Sequence, residues 1–336
     1  MAQVGIWTRD ELEAETQGLV ETVEAMATAR DATPGDVAGA QRALQAGAVL
    51  LCHAGLRARA RGDLQSARPA LRNACRLTET SGLIAPGGPG REFARRFYLV
   101  TGLAFQAMSD LAAAHEMYSE GLRRGGRDAQ LLLGPGRVTE TIVALRTYEP
   151  PRGARGDSRP GMRFHMEGGV GEGGQLPPAT LDDVQALYAE ALERDGGLLE
   201  ARLRLGRVLQ LRGRHDEALV ELNRVSTESR RPTERYMARL FEGRTREELE
   251  DLPGSAAALA TAAGEVPRAQ SALVALGRVL DRLGERDRAQ ETYSQAMVPE
   301  SRAPRDPWLA YISGFDAVRG QAQIGPAFEE LPGAAR

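Results

Sequence analysis

Histidines, cysteines and one glycine-rich stretch could carry chemistry, but none has the spacing that chemistry requires. The four histidines are His53, His115, His165 and His215. No two of them have the HxxxH or HExxH spacing of a zinc site, and neighbours such as Cys52 and His53 point in different directions on a helix. The segment 169–174 lacks the preceding apolar strand and the Lys-Ser/Thr pair of a phosphate-binding loop. The sequence therefore predicts no enzyme, no metal site and no cofactor.

Arginine supplies all the fixed positive charge of this chain. All 43 basic residues are arginine, against 46 acidic residues, which gives a net charge of -3. This balance does not favour bulk binding to nucleic acid or to an anionic membrane. Each cation is instead a planar guanidinium group, which can donate two parallel hydrogen bonds to a carboxylate or a phosphate.

The expected location is the cytoplasm. Cys52 and Cys75 are too few and too far apart to suggest a disulfide framework, although one disulfide between them is an open alternative. No apolar stretch is long enough to span a bilayer, and no signal peptide is visible unless the start has been misassigned.

Small and large residues recur along the sequence at fixed offsets. Offsets of +3, +7, +12 and +16 from Gly206 fall on Leu209, Gly213, Ala218 and Leu222. The same offsets from Gly277 fall on Leu280, Gly284, Ala289 and Tyr293. Gly55 and Gly102 begin two further runs of this kind. Small residues suit the points where paired helices touch, and glycine at +7 suits a left-handed residue that ends a helix.

This pattern resembles the tetratricopeptide (TPR) repeat, a helix-turn-helix unit of 34 residues that carries W-x2-L-G-x2-Y and then A-x3-F. The tryptophan of that pattern is replaced here by Leu51, Tyr98, Arg202 and Leu273. The resemblance implies an all-α, right-handed superhelix of about six repeats, whose first helices (A helices) line a concave groove. The family's lysine and asparagine clamp for chaperone C-termini is missing, since those positions hold Cys52, Leu99, Leu203 and Val274.

Two repeats are less regular. Gly136 begins a third repeat whose second helix (B helix) is predicted at 182–194, so that about 36 residues are inserted between its two helices. This insertion is rich in glycine and proline and is expected to be a loop or partly disordered. Pro135 is expected to kink the third A helix or to delay its start. Gly243, with Ala256 and Ala260, marks a fifth repeat one residue longer than the others.

Helical ends are predicted on both sides of the repeats. Thr8 with Glu11 and Thr33 with Pro34 carry helix-start signals, and Asp306 opens a terminal helix expected to cover the last repeat. This ending is similar to the C-termini of TPR proteins from GC-rich bacteria. The predicted organisation is an N-terminal helical cap (1–47), repeats 1 and 2 with helix A of repeat 3 (48–147), the insertion (148–179), helix B of repeat 3 with repeats 4–6 (180–298), and a C-terminal capping helix and tail (299–336).

The position after the marker glycine is the strongest candidate for a binding site. In the implied TPR register this residue points into the groove, and the six residues are Leu56, Leu103, Arg137, Arg207, Arg244 and Arg278. Four successive arginines at chosen positions would arise by chance roughly once in 4,000, or a few times per thousand if about a dozen surface positions are considered. Either they line a groove that is apolar at its N-terminal end and cationic further on, or each pairs with a nearby acid such as Glu140, Glu247 or Asp281.

Three functions are compatible with these features. The leading one is a scaffold whose groove binds an extended or helical segment of a protein partner, with an acidic segment fitting the arginines. The alternative is a sensor or enzyme-accessory protein that binds a small acidic ligand among the same arginines. An enzyme would require His165, Glu167 and Glu172 of the insertion to converge on the groove.

Overall fold

The computed structural model describes residues 9–84, 88–147, 180–297, 306–312, 324–325 and 327–331. Within these ranges the chain forms helices and no strands. The helices are α1 (Arg9–Thr28), α2 (Pro34–Ala60), α3 (Leu64–Ile84), α4 (Gly88–Ala107), α5 (Leu111–Gly125), α6 (Ala129–Thr147), α7 (Leu181–Arg194), α8 (Leu199–Leu211), α9 (His215–Glu228), α10 (Pro232–Glu248), α11 (Leu252–Glu265), α12 (Gln270–Arg282), α13 (Arg286–Ala296) and α14 (Pro307–Ile312). The all-α prediction is confirmed for the described residues.

The helices belong to two compact units. Of the described residues, the first comprises 9–84, 88–138, 324–325 and 327–331, and the second comprises 139–147, 180–297 and 306–312. In the first unit α2 pairs with α3 and α4 with α5, while α1 packs on α2 and α3. In the second unit the pairs are α8 with α9, α10 with α11, and α12 with α13. The insertion 148–179 lies outside the described residues, as does Thr8.

The turn between the two helices of a repeat uses one left-handed residue at offset +7. Gly62, Gly213 and Gly284 have φ angles of 79°, 72° and 81°, as predicted. Ser109 and Glu250 occupy the same position in repeats 2 and 5 with φ angles of 59° and 61°. The turn is therefore dictated by the pairing of the helices, because non-glycine residues adopt the same backbone conformation at some cost.

The marker glycines allow the two helices of a repeat to touch. A Cβ added at Gly55 would lie 2.8 Å from Cγ of Leu71, and one at Gly206 would lie 2.8 Å from Cγ of Leu222. Neither contact is sterically possible without movement of the leucine or of a helix. Glycine at the marker and a large residue at +16 are thus two halves of one contact.

The predicted register of repeat 5 is wrong by one residue. Ser255 and Leu259 are fully buried, whereas Ala260 is exposed. A Cβ at Gly243 would lie 2.5 Å from Cγ of Leu259, so this repeat follows the common offsets. The misleading residue is Ser255, a polar residue where the other repeats have alanine. Its hydroxyl donates to the carbonyl oxygen of Gly243 at 2.7 Å, which satisfies the buried oxygen.

Local signals place two helix starts. Thr33 and Asp36 form a reciprocal capping box at the start of α2, with Pro34 in the first turn. Thr180 and Asp183 form the same arrangement at the start of α7, the helix at the position predicted for helix B of repeat 3. Helix α6 begins at Ala129 and continues through Pro135, so it starts before the proline rather than after it.

Both cysteines of the chain lie in the core of the first unit. Cys52 and Cys75 are both free, and burial raises the pKa of the Cys75 thiol to about 12. The Cys75 thiol faces Sδ of Met117 at 3.1 Å. Both cysteines therefore behave as small apolar core residues.

None of the described helices combines the length and the apolar character needed to cross a bilayer.

Enlarging the small residue at offset +12 should destabilise the fold. Ala218 is fully buried and Ala289 is 1% exposed, so Ala218→Leu and Ala289→Leu should each lower the free energy of unfolding by roughly 1–3 kcal/mol. Urea unfolding would measure this loss. Val220→Leu is the matched control, since Val220 is 67% exposed and lies on the same helix as Ala218. Unchanged stability in both alanine variants would contradict the helix pairing.

Candidate functional site

Three of the predicted arginines come together in the second unit. Arg207 lies on α8, Arg244 on α10 and Arg278 on α12, each directly after its marker glycine. All three line one open cavity of about 510 Å³. The other residues lining it are Gln210, Glu247, Glu248, Glu250 and Arg282. We refer to Arg207, Arg244 and Arg278 as the arginine row.

One member of the arginine row is neutralised by an acid from the preceding repeat. Arg278 donates to both carboxylate oxygens of Glu247, over 3.2 Å from Nε and 2.6 Å from Nη2. Arg282 shares Glu247 and also donates to Glu250 at 2.6 Å. Asp281, one of the acids proposed as a local partner, instead accepts a hydrogen bond from Tyr293 at 3.0 Å. This end of the cavity is charge-balanced.

Arg207 and Arg244 have no carboxylate partner among the described residues. Arg207 donates to Oε1 of Gln210, whose amide in turn donates to Glu248 at 2.9 Å. Burial lowers the pKa of Arg207. The pKa of Arg244 is lowered to about 10, first by burial and then by the charges of Arg207 and Arg278. Two mostly buried positive charges therefore lie near each other with no carboxylate in direct contact, and Glu140, Glu248 and Asp306 act on them only at longer range.

Two aromatic rings, one from α14 and one from α10, contact these guanidinium groups. The ring of Trp308 has its centroid 4.5 Å from Cζ of Arg244 and 5.8 Å from Cζ of Arg207. Phe241 lies against Arg207 from α10 at 5.0 Å. Such cation–π contacts stabilise a cation that has lost water, each by about 0.5–2 kcal/mol. They do not neutralise its charge.

Helix α14 is fastened at its start by one carboxylate. Oδ1 of Asp306 accepts from the backbone N–H of Trp308 at 2.9 Å and from the hydroxyl of Tyr236 at 3.1 Å. Oδ2 accepts from the backbone N–H of Ser271 at 2.6 Å. Asp306 therefore links α14 to α10 and to the start of α12.

The other end of α14 is fastened to a buried acid that serves three donors. Glu140 accepts from the hydroxyl of Tyr311 at 2.5 Å, from the hydroxyl of Tyr188 at 2.7 Å and from Nη1 of Arg204 at 2.9 Å. Burial, and then the charge of Glu140, raise the pKa of both tyrosines well above the usual value, so both hydroxyls remain donors. Arg204 also lies 4.5 Å from the Tyr311 ring and pairs with Glu200.

The location of α14 differs from the predicted end cap. Its hydrogen bonds and ring contacts fall on α6, α8, α10 and α12, the A helices of this unit. The sequence motif at Asp306 correctly marks a helix start but carries no information about where that helix packs. Arg204, Asp306 and Tyr311 were not predicted as site residues, because their positions match no repeat marker.

The remaining predicted site residues lie in the first unit. Leu103 is 3% exposed, Leu56 is half-buried and Arg137 is 5% exposed. Elsewhere in this unit, C-terminal residues contact A helices: Phe328 stacks on His53 of α2 at 5.5 Å, and the carbonyl of Glu330 accepts from Arg96 of α4 at 2.6 Å. In each unit, therefore, part of the C-terminal segment touches A helices.

None of the three described histidines is hydrogen-bonded to a nucleophile or lies among metal ligands. His53 stacks on Phe328, burial lowers the pKa of His115, and Nδ1 of His215 lies 3.5 Å from Glu248. The described residues contain no group of three or more potential metal ligands. His165, with the rest of the insertion, lies outside the described residues.

Three repeats share one hydrogen bond between their two helices. Tyr118, Tyr188 and Tyr293, each at the +16 position of its repeat, donate to the residue at offset +4, over 3.0, 2.7 and 3.0 Å. In repeat 3 this match requires the insertion to be skipped, as the predicted split of this repeat between α6 and α7 implies. The marker glycines, the +7 turns and the large +16 side chains thus have the roles that the sequence pattern predicts, although the tryptophan of the TPR pattern is replaced. In fold, the described residues form TPR-like helix-turn-helix repeats.

Three solved structures similar to this chain share 13–15% of its sequence. No family model and no curated protein matches the sequence. PilF of Pseudomonas aeruginosa is 15% identical, with a TM-score of 0.46 over 73% of this chain and 95% of that one. A TPR protein from Parabacteroides merdae is 13% identical, with a TM-score of 0.44 over 96% and 99%. MamA from Desulfovibrio magneticus is 15% identical, with a TM-score of 0.45 over 61% and 93%.

Proposed function

We propose that this TPR protein is an interaction scaffold whose second unit binds an acidic segment of a protein partner at the arginine row. The observation that carries the proposal is the pair Arg207 and Arg244, which is mostly buried and has no carboxylate partner among the described residues. A buried charge without a partner destabilises a fold, so an external anion would offset that cost. No step of this function requires catalysis, a cofactor or nucleic acid.

The packing of α14 supports a helical or extended partner. A six-residue helix already lies against the A helices of this unit, held by aromatic rings over arginines and by carboxylate caps. The surface can therefore hold a peptide backbone and aromatic side chains beside the arginine row. A partner segment would extend along the part of this surface that remains open at the cavity.

A small acidic ligand is the second candidate function. The cavity of about 510 Å³ next to Arg207 and Arg244 is large enough for a metabolite-sized anion. The two candidates differ in size dependence. A peptide should bind more tightly as flanking residues are added, whereas a metabolite should bind fully as the free compound.

Binding of acidic peptides at two salt concentrations tests the leading proposal. We expect the full chain to bind a labelled decapeptide rich in aspartate and glutamate, and to bind its asparagine and glutamine counterpart at least tenfold more weakly. Raising the salt from 50 to 500 mM should weaken the acidic complex, because exposed charges are screened over about 8–10 Å at physiological ionic strength. Fluorescence anisotropy would measure both effects. Equal binding of the two peptides, or binding insensitive to salt, would reject the proposal.

A further inference from the structure

We propose that Arg207 and Arg244, together with Trp308 of α14, form a site for a dianionic phosphate group. The inference rests on the proposed function, because it specifies the acidic group that a partner segment presents. It also assigns a role to α14: this helix is one wall of the binding site and remains in place when the ligand binds.

The charge of the site matches a dianion better than a single carboxylate. Arg207 and Arg244 make no direct ion pair among the described residues, whereas Arg278 and Arg282 share Glu247. Glu248 accepts from Gln210 and acts on Arg207 only at longer range, so both guanidinium groups can still bind an anion directly. A single carboxylate would neutralise only one of the two arginines. A phosphate monoester carries a charge of about -1.5 to -2 near pH 7 and offers three acceptor oxygens. Guanidinium forks suit those oxygens in bidentate geometry.

The two guanidinium groups are close enough to serve one compact ligand. Both Cζ atoms lie within 5.8 Å of the centroid of a single ring, that of Trp308. Both arginines also line the open cavity, whereas Trp308 does not. The indole thus contacts both guanidinium groups, and the cavity gives a ligand access to both arginines.

The cover provided by Trp308 should strengthen anion binding. Excluding water from the guanidinium groups lowers the local dielectric, so a given anion is attracted more strongly than it would be at an exposed arginine. Trp308 is held in position by the Asp306 carboxylate and by the contact between Tyr311 and Glu140. The site is therefore built before the ligand arrives, which reduces the entropic cost of binding.

Matched peptides test the phosphate chemistry. The probes are a decapeptide with one phosphoserine, the same peptide with glutamate or with serine at that position, and inorganic phosphate. We expect the phosphopeptide to bind at least tenfold more tightly than the glutamate peptide. Its affinity should fall between pH 7.5 and pH 5.5, because a phosphate monoester loses its second charge below a pKa of about 6. Calorimetry, and Trp308 fluorescence in a Trp7→Phe background, would measure binding to the full chain.

Single variants locate the site. Arg244→Gln should weaken phosphopeptide binding at least tenfold. Arg224→Gln is the matched control, since Arg224 is exposed and paired with Glu228 on the B helix α9, and it should leave binding unchanged. Trp308→Ala should also weaken binding, with Trp308→Phe restoring part of it. Tighter binding by Trp308→Ala would show that α14 competes with the ligand, and would overturn the inference.

The outcomes separate this inference from the proposed function. Equal affinity for the phosphoserine and glutamate peptides would overturn the phosphate site while leaving the acidic-segment scaffold standing. Inorganic phosphate binding as tightly as the phosphopeptide would support the site but identify its ligand as a small phosphate compound. No binding of any phosphate probe, with the acidic decapeptide still bound, would overturn the inference alone. No binding of any anionic probe would overturn both.

Discussion

Reversing Arg207 and Arg244 to glutamate is expected to abolish capture of an acidic partner by the full chain. The change replaces two uncompensated positive charges with two negative ones on the surface that the partner must contact. Like charges juxtaposed in an interface cost several kcal/mol, so we expect affinity to fall by at least a hundredfold. Fluorescence anisotropy with the acidic decapeptide would measure the loss. A partner bound equally well by this double variant would defeat the arginine-row proposal.

The control for this experiment is another double reversal in the same unit. Arg224→Glu with Arg230→Glu makes the same change in net charge at two exposed positions on and next to α9. It should leave binding within about twofold, apart from long-range effects that salt removes. The melting temperature of the Arg207 and Arg244 variant should stay within a few degrees, because neither arginine makes a direct ion pair among the described residues that the change would break. Should the glutamates impair folding, Arg207→Gln with Arg244→Gln removes both charges without adding acids.

Removal of the Glu140 carboxylate is expected to give the largest loss of stability of any single substitution considered. Glu140→Leu would leave Arg204, which is 5% exposed, without its inter-repeat acid and with only Glu200 as a partner. It would also remove the acceptor of two tyrosine hydroxyls. Removing one member of a buried ion pair typically costs about 3–5 kcal/mol, and we expect a loss of this size in urea unfolding.

The comparison variant is Glu228→Leu, which breaks the exposed pair with Arg224. It should change the free energy of unfolding by less than about 1 kcal/mol, as for other surface ion pairs. Glu140→Leu should additionally shift the fluorescence of Trp308 to longer wavelength, because Tyr311 would no longer hold α14 against the A helices. A cost below about 1 kcal/mol for Glu140→Leu would show that the three hydrogen bonds are not a structural hub.

The helical repeats follow from local residue choices, which is why they could be predicted. A glycine, a left-handed turn residue and a large side chain recur at fixed offsets, since each repeat must solve the same packing problem between two adjacent helices. The error in the register of repeat 5 arose at a polar residue. A serine such as Ser255 is not expected in a core. Its hydroxyl nevertheless donates to the carbonyl oxygen of Gly243 on the paired helix, so it can be buried.

The sequence also determined that arginines follow the marker glycines in repeats 3 to 6, and hence that Arg207, Arg244 and Arg278 lie on A helices. Only the tertiary structure decided which of them are neutralised. Arg278 meets Glu247 from the preceding repeat, 31 residues away, and Glu140 meets Tyr311 across 171 residues. Such contacts depend on how successive helices are offset and rotated, and on where a terminal segment packs. A repeat period specifies which face of a helix a residue occupies, but it does not specify which distant group reaches that face. For this reason the uncompensated pair Arg207 and Arg244, and the Trp308 ring that covers it, became visible only in the fold.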